Sequence, residues 1–234
     1  MTEYTTKPET IDVPVSGGRM RALRWGGGER SILAVHGITS SAMVWEAVAR
    51  HLPDGWSLTA MDLRGRGHST GLPGPYGFAR HTEDVLAVAE HAGGPAPVLT
   101  GHSMGAYIAV LAAAARPGRF SRLVLVDGGI PRPFPEGADP DAAIEATLGP
   151  AMARLRQTFP SEEAYLEFWR AHPAFAGNWS ADAEDYARYD IRGEPGAVRS
   201  RVAEQPSGMT AATCSPTAST SAARCGASAC PSCS

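Results

Sequence analysis

Lysine is almost missing from this 234-residue chain, with Lys7 standing alone among 21 lysines and arginines. With 26 glycines, 19 prolines and abundant alanine, the bias points to a GC-rich coding sequence. Basic runs are also missing, and the formal net charge is -3. That excludes the basic face nucleic-acid binding requires. No stretch reaches the ~20 consecutive apolar residues of a membrane span. Met1-Thr2-Glu3-Tyr4 has neither the basic nor the apolar region of a signal peptide. The expectation is a cytoplasmic protein that engages neither nucleic acid nor membrane. Cysteine is confined to Cys214, Cys225, Cys230 and Cys233, all near the end of the chain.

The 43% hydrophobic and 19% charged residues suit one globular domain with a sizeable core. Ile11 to Val15 and Met20 to Trp25, joined by Ser16-Gly17-Gly18, read as a β-hairpin. Ser31 to Val35 is a continuous apolar run, as in a strand buried on both faces. A helix is expected from about Ala42 to His51, a strand from Trp56 to Met61, and a helix from Phe78 to His91. The last has Val85, Leu86, Val88 and Ala89 on one face. Ala96 to Thr100 is a further strand, Ala106 to Arg116 an alanine-rich helix stopped by Pro117-Gly118, and Leu123 to Val126 another strand. Strands alternating with helices at this spacing predict an α/β fold, a mostly parallel doubly wound sheet.

Past Ile130 the texture changes. Pro131, Pro133 and Pro135 form a linker, and helices are expected near Asp141 to Phe159, Ser161 to Ala171 and Ser180 to Tyr189. The expected organisation is a core over 1–129, a helical cap over 130–190 and a return to the core over 191–205. A cap of this kind lies over the carboxyl ends of the strands, where ligands bind. Most of its aromatics, including Tyr165, Phe168, Trp169, Phe175 and Trp179, belong to the cap's own core.

Between strand and helix stands Gly101-His102-Ser103-Met104-Gly105. A serine at a sharp strand-to-helix turn needs small neighbours two positions either side, because a Cβ there would crowd the turn. The turn lifts the Ser103 hydroxyl clear of the sheet. It also sets the Met104 amide at a helix start, where it can stabilise a developing oxyanion.

From Ile11 to Gln205 the chain resembles the α/β-hydrolase superfamily. Three motifs in order carry the resemblance: His36-Gly37 after one strand, Asp62-Leu63-Arg64-Gly65-Arg66-Gly67-His68-Ser69 after the next, and the serine turn. The resemblance implies a serine nucleophile, Ser103, and oxyanion amides on Ile38 and Met104. It gives Gly37, Gly101, Gly105, His36 and His102 supporting roles around the turn, and leaves Asp62 and Arg64 mostly structural. Ser40 and Ser41 would border the pocket. The implied reaction is acyl transfer to water on a small ester, lactone or other acyl substrate, with neither cofactor nor metal. A cofactor-free haloperoxidase or a C–C hydrolase would share the same turn.

The resemblance breaks at the triad. Its order is serine, acid, histidine. Asp127 fits one acid position, but the only histidine after Ser103 is His172, inside the helical segment. The last strands, and the loop that would carry the histidine, are missing. Pro206 to Ser234 contains no Val, Ile, Leu, Phe, Trp or Tyr, so it cannot supply a core strand. Its Cys225-x4-Cys230-x2-Cys233 spacing is ferredoxin-like, but a fourth cysteine and a scaffold are lacking. A disulfide-knotted tail suits a cytosolic setting poorly. A GC-rich gene read out of frame yields this composition, so 206–234 reads as a frameshifted, disordered tail. Without the histidine, the chain is alternatively a catalytically impaired remnant or a ligand-binding module.

Overall fold

The computed structural model describes residues 7–130, 140–173, 175 and 177–203. The expected linker prolines and the 206–234 tail lie outside these residues. Six strands form one sheet: β1 (Glu9–Val15), β2 (Gly18–Trp25), β3 (Arg30–Val35), β4 (Trp56–Met61), β5 (Val98–His102) and β6 (Arg122–Val126), in the order β1-β2-β4-β3-β5-β6. β1 and β2 are an antiparallel hairpin, and β2 pairs antiparallel with β4. From β4 onward the sheet is parallel. The helices are α1 (Glu46–Arg50), α2 (Phe78–Ala92) and α3 (Met104–Ala115), followed past β6 by α4 (Pro140–Arg154), α5 (Glu162–Arg170) and α6 (Ala181–Tyr189).

The register explains both faces. Leu33 pairs with Leu99 and Leu99 with Leu123, while Ala34 pairs with Thr100 and Thr100 with Val124. Alternate residues point to opposite faces. Leu33, Val35 and Leu99 therefore pack with Val85 and Val88 of α2 and Ile108 and Ala109 of α3. Ala34, Leu58 and Ala60 turn the other way, onto Trp45 and Ala49 at α1. Helices on both faces make the sheet doubly wound, as the alternation of elements implies.

The segment expected as a helix over Ala42 to His51 is helical from Ala42 to Arg50, but not α-helical throughout. Ala42–Trp45 is a 3-10 turn, and α1 follows it. The Ser41 hydroxyl makes no capping bond there. Ala42 N donates instead to Asp62 Oδ1 at 2.8 Å, so a carboxylate from another loop anchors the entry.

Residues after α6 form a small sheet of their own, in which β7 (Ile191–Arg192) pairs antiparallel with β8 (Arg199–Ser200). Val198 joins Tyr165, Leu166 and Trp169 in the cluster between α5 and α6. Residues 201–203 then touch the loop after β4: the Thr70 hydroxyl donates to Arg201 O at 2.7 Å, and Ala203 N donates to Gly65 O at 3.2 Å. Among the described residues no helix is long and apolar enough to cross a membrane.

The loop after β4 is locked to α2 by a buried, two-pronged ion pair. Arg64 Nε meets Asp84 Oδ2 at 2.9 Å and Arg64 Nη2 meets Oδ1 at 2.7 Å, with both residues buried. The same guanidinium donates to Pro73 O at 2.8 Å and Ser16 O at 2.9 Å. Removing one partner strands a charge without water, at a cost of about 3–5 kcal/mol. Asp84→Ala is accordingly expected to lose about that much in denaturant unfolding. The double variant Arg64→Met/Asp84→Leu should lose clearly less, and equal losses would show that the charge pair is not the cause.

Candidate active site

Ser103 occupies the junction of β5 and α3 with φ 51° and ψ -121°. Only one other non-glycine residue with positive φ stands among the described residues, Asp127 at 48°. Such a backbone costs of order 1–3 kcal/mol and persists only where its surroundings hold it. Ser103 N donates to Val126 O at 2.9 Å and Ser103 O accepts from Ala106 N at 3.0 Å, tying the residue to β6 and to α3. Its hydroxyl makes no capping bond to the helix it begins.

The glycines around it are steric requirements. A Cβ on Gly101 would collide with the Gly105 carbonyl, and one on Gly105 with the carbonyls of Val35 and His36. A Cβ on Gly128 would press on the Ser103 backbone. On Gly37 it would lie 3.4 Å from Ser103 Cβ and 3.2 Å from His102 Nδ1. The loop after β3 thus lies directly against the serine turn, and the turn after β6 flanks it from the other side.

The loop after β3 is held by its carbonyls. Leu63 N donates to His36 Nε2 at 3.0 Å, so that nitrogen accepts and Nδ1 carries the proton, donating to Gly37 O at 2.7 Å. Gly37 O and Ile38 N share one planar trans peptide. Fixing that carbonyl on His36 aims the Ile38 N–H the opposite way. Arg66 Nε donates to Ile38 O at 2.8 Å, and Arg154 Nη2, from α4, to Thr39 O at 3.1 Å. Arg154 is buried, bonded to Asp190 Oδ2 at 3.0 Å and to the Tyr165 hydroxyl at 3.1 Å, and stacked over Trp169 at 4.8 Å. Tyr165 and the Ser200 hydroxyl also donate to Asp190. From α6, Tyr186 meets Ser40 Oγ at 3.3 Å and Tyr189 donates to Asp62 Oδ2 at 2.7 Å.

These arrangements sort the histidines. Burial pushes His36 down to about 3, and both its nitrogens are engaged, so it is spent as a proton acceptor. Burial, then the Arg66 charge, pushes His81 down to about 2. His172 stands at the end of α5 among Phe168, Trp169 and Phe175. All seven histidines lie in the described part of the chain, and among the described residues no side-chain hydrogen bond joins any of them to Ser103. Asp127 directly follows β6, beside the strand that bonds Ser103 N, and is exposed. No group of three His, Cys, Asp or Glu placed to hold a metal occurs among the described residues. A pocket of about 410 Å³ opens at the opposite, N-terminal ends of the strands, lined by Arg30, Trp56 and Arg122, and contains none of the expected site residues.

Sequence reasoning anticipated the serine turn and its glycines. It did not anticipate Arg154, Asp190 or the part played by the Tyr165 hydroxyl, whose partners are remote in sequence. Arg66 sat in a quoted motif without an assigned part.

The sheet order and a positive-φ serine between a parallel strand and a helix define the α/β-hydrolase class. The chain belongs to that family: residues 30–163 match the alpha/beta hydrolase fold. It is 32% identical over 198 residues to N-formylmaleamate deformylase of Pseudomonas putida, spanning 80% of this chain and 74% of that protein. Esterase Rv0045c of Mycobacterium tuberculosis is 32% identical over 154 residues, 65% of this chain and 50% of the esterase. Among solved structures, E-2-(acetamidomethylene)succinate hydrolase superposes with a TM-score of 0.72 at 24% identity, over 88% of this chain and 72% of that one.

The buried histidines set an acid limit on stability. Unfolded, each takes a proton below its ordinary 6.5, whereas in the fold His36 resists to about 3 and His81 to about 2. Stability is therefore full above pH 6.5 and falls with pH below it, by about 1.4 kcal/mol per pH unit for each histidine. Burial raises Asp62 from 3.8 to about 6, so the fold takes up that proton first and offsets one histidine between pH 6 and 3.8. The melting temperature is expected to be lower at pH 5 than at pH 7, falling continuously once the pH drops below about 6.5. A melting temperature unchanged from pH 7 to pH 5 would contradict this.

Proposed function

We propose that this chain is a hydrolase in which Ser103 is the nucleophile for a small ester, lactone or other acyl substrate. The single observation that carries the reading is the Ser103 backbone, left-handed between a parallel strand and a helix, with its hydroxyl uncommitted to capping. The deformylase and esterase names among the relatives support hydrolysis as the reaction class. In the proposed mechanism the Ser103 hydroxyl oxygen attacks the substrate carbonyl. The Met104 amide, at the start of α3, and the Ile38 amide, aimed by the His36–Gly37 bond, receive the developing oxyanion. The hydroxyl proton passes to solvent hydroxide; collapse breaks the bond to the leaving group, which departs with a proton from water, and a second water then adds to the acyl carbonyl, releasing the acid and returning the Ser103 hydroxyl. Asp127 is the candidate acid, and α4 to α6 act as the cap over the loop after β3. The setting is proposed to be cytoplasmic.

A second reading has its own observation: no histidine is bonded to Ser103 among the described residues. Removing the base from a catalytic triad costs on the order of 10⁶-fold in kcat, while oxyanion donors and binding keep on the order of 10³–10⁴-fold over water. We therefore expect slow, Ser103-dependent turnover of an activated aryl ester, abolished by Ser103→Ala. With no histidine base, the rate should rise with pH through 6–8 without an inflection near 6.5. An inflection there would establish a histidine base in this chain. Failure of a fluorophosphonate probe to label the folded protein at Ser103 would overturn the nucleophile assignment and favour a ligand-binding remnant.

A further inference from the structure

Among the described residues β6 is the outer strand of the sheet. Its inner side is occupied: Val126 O accepts from Ser103 N, and Val124 O from the Thr100 hydroxyl at 3.1 Å. In a parallel pair alternate residues turn their backbone groups toward a given neighbour. Those of Leu123 and Leu125 therefore point away from β5. The side chains are equally uncovered, with Leu123 39%, Val124 47% and Val126 41% exposed, while Leu33 and Leu99 in the neighbouring strands are fully buried.

Natural edges are usually blunted by proline, charge or a bulge. The other edge strand, β1, carries Pro14 and Asp12, the latter paired with Arg21 at 2.7 Å. β6 reads Arg122-Leu123-Val124-Leu125-Val126, with no such device inside it. Its charges stand at its two ends and are opposite: Arg122 opens the strand and Asp127 follows it. The segment past the last described residue, 204–234, contains no Val, Ile, Leu, Phe, Trp or Tyr.

We propose that β6 pairs antiparallel with β6 of a second copy, about a two-fold axis at Val124. Leu123 then stands opposite Leu125 of the second copy, and the outward backbone groups of both strands are satisfied. The Arg122 end of each strand lies alongside the Val126–Asp127 end of the other, so the terminal charges are complementary. The two six-stranded sheets become one, and the two-fold consumes both free edges, which closes the assembly at two chains. The inference stands independently of any assignment of Ser103.

Light scattering on the full-length chain is expected to give twice the 24.5 kDa chain mass. Val124→Lys sets two like charges on the axis, and Leu123→Pro removes an outward N–H while leaving the bonds to β5. Each should yield a folded monomer by circular dichroism and light scattering. Deleting 204–234 should leave the dimer unchanged. A monomer at all concentrations, open-ended oligomers, a dimer that survives both substitutions in folded protein, or a dimer lost with 204–234 would each overturn the proposal. If both substitutions unfold the chain, hydrogen exchange of the unsubstituted protein decides. Protection of the Leu123 and Leu125 amides that rises with protein concentration supports the pairing, and its absence overturns it.

Discussion

The left-handed backbone of Ser103 is the constraint on which the rest of the structure depends. A serine does not hold φ 51° unaided. Here β6 supplies an acceptor for its amide, α3 begins at its carbonyl, and Gly37, Gly101, Gly105 and Gly128 let the loop after β3, the helix and the turn after β6 close around it. Three parallel strands must therefore be adjacent and in register before the turn can exist. The order β3-β5-β6 meets that requirement.

Around that turn, buried arginines replace what a short loop cannot do for itself. Loop carbonyls taken from water need donors. Arg64 answers for Ser16 and Pro73, Arg66 for Ile38 and Arg154 for Thr39. The guanidinium suits this work because its planar fork reaches a carboxylate and carbonyls at once, which a lysine ammonium does not do in fixed geometry. The scarcity of lysine coincides with a core whose polar joints are guanidinium-based.

Local patterns made the sheet and the serine turn legible. The apolar run at Ser31 to Val35, the periodicity of α2 and the glycines flanking Ser103 each express their structure within a few residues. The buried joints were not legible, because they are long-range. Arg154 and Asp190 are 36 positions apart, and Arg154 and Thr39 are 115 apart. Nothing near Arg154 distinguishes it from a surface arginine in the last turn of a helix. The 3-10 character of the turn before α1 is not legible for a related reason: its first amide, on Ala42, is held by Asp62 from the next loop. Asp127 was legible as a residue at a strand end, but its left-handed backbone was not.

The Arg154 joint has a consequence for modularity. A segment inserted after a strand is naturally treated as a cassette, exchangeable among relatives to change what a scaffold accepts. Here the cassette's own interior charge is completed by a carbonyl belonging to the scaffold, at Thr39, one residue past Ile38. A transplanted segment lacking an arginine at that place would leave Thr39 without its donor. A scaffold with a different loop would leave Arg154 short of an acceptor. Segment and loop complete each other, so a chimera that respects the helix boundaries but separates these two residues divides a single structural unit.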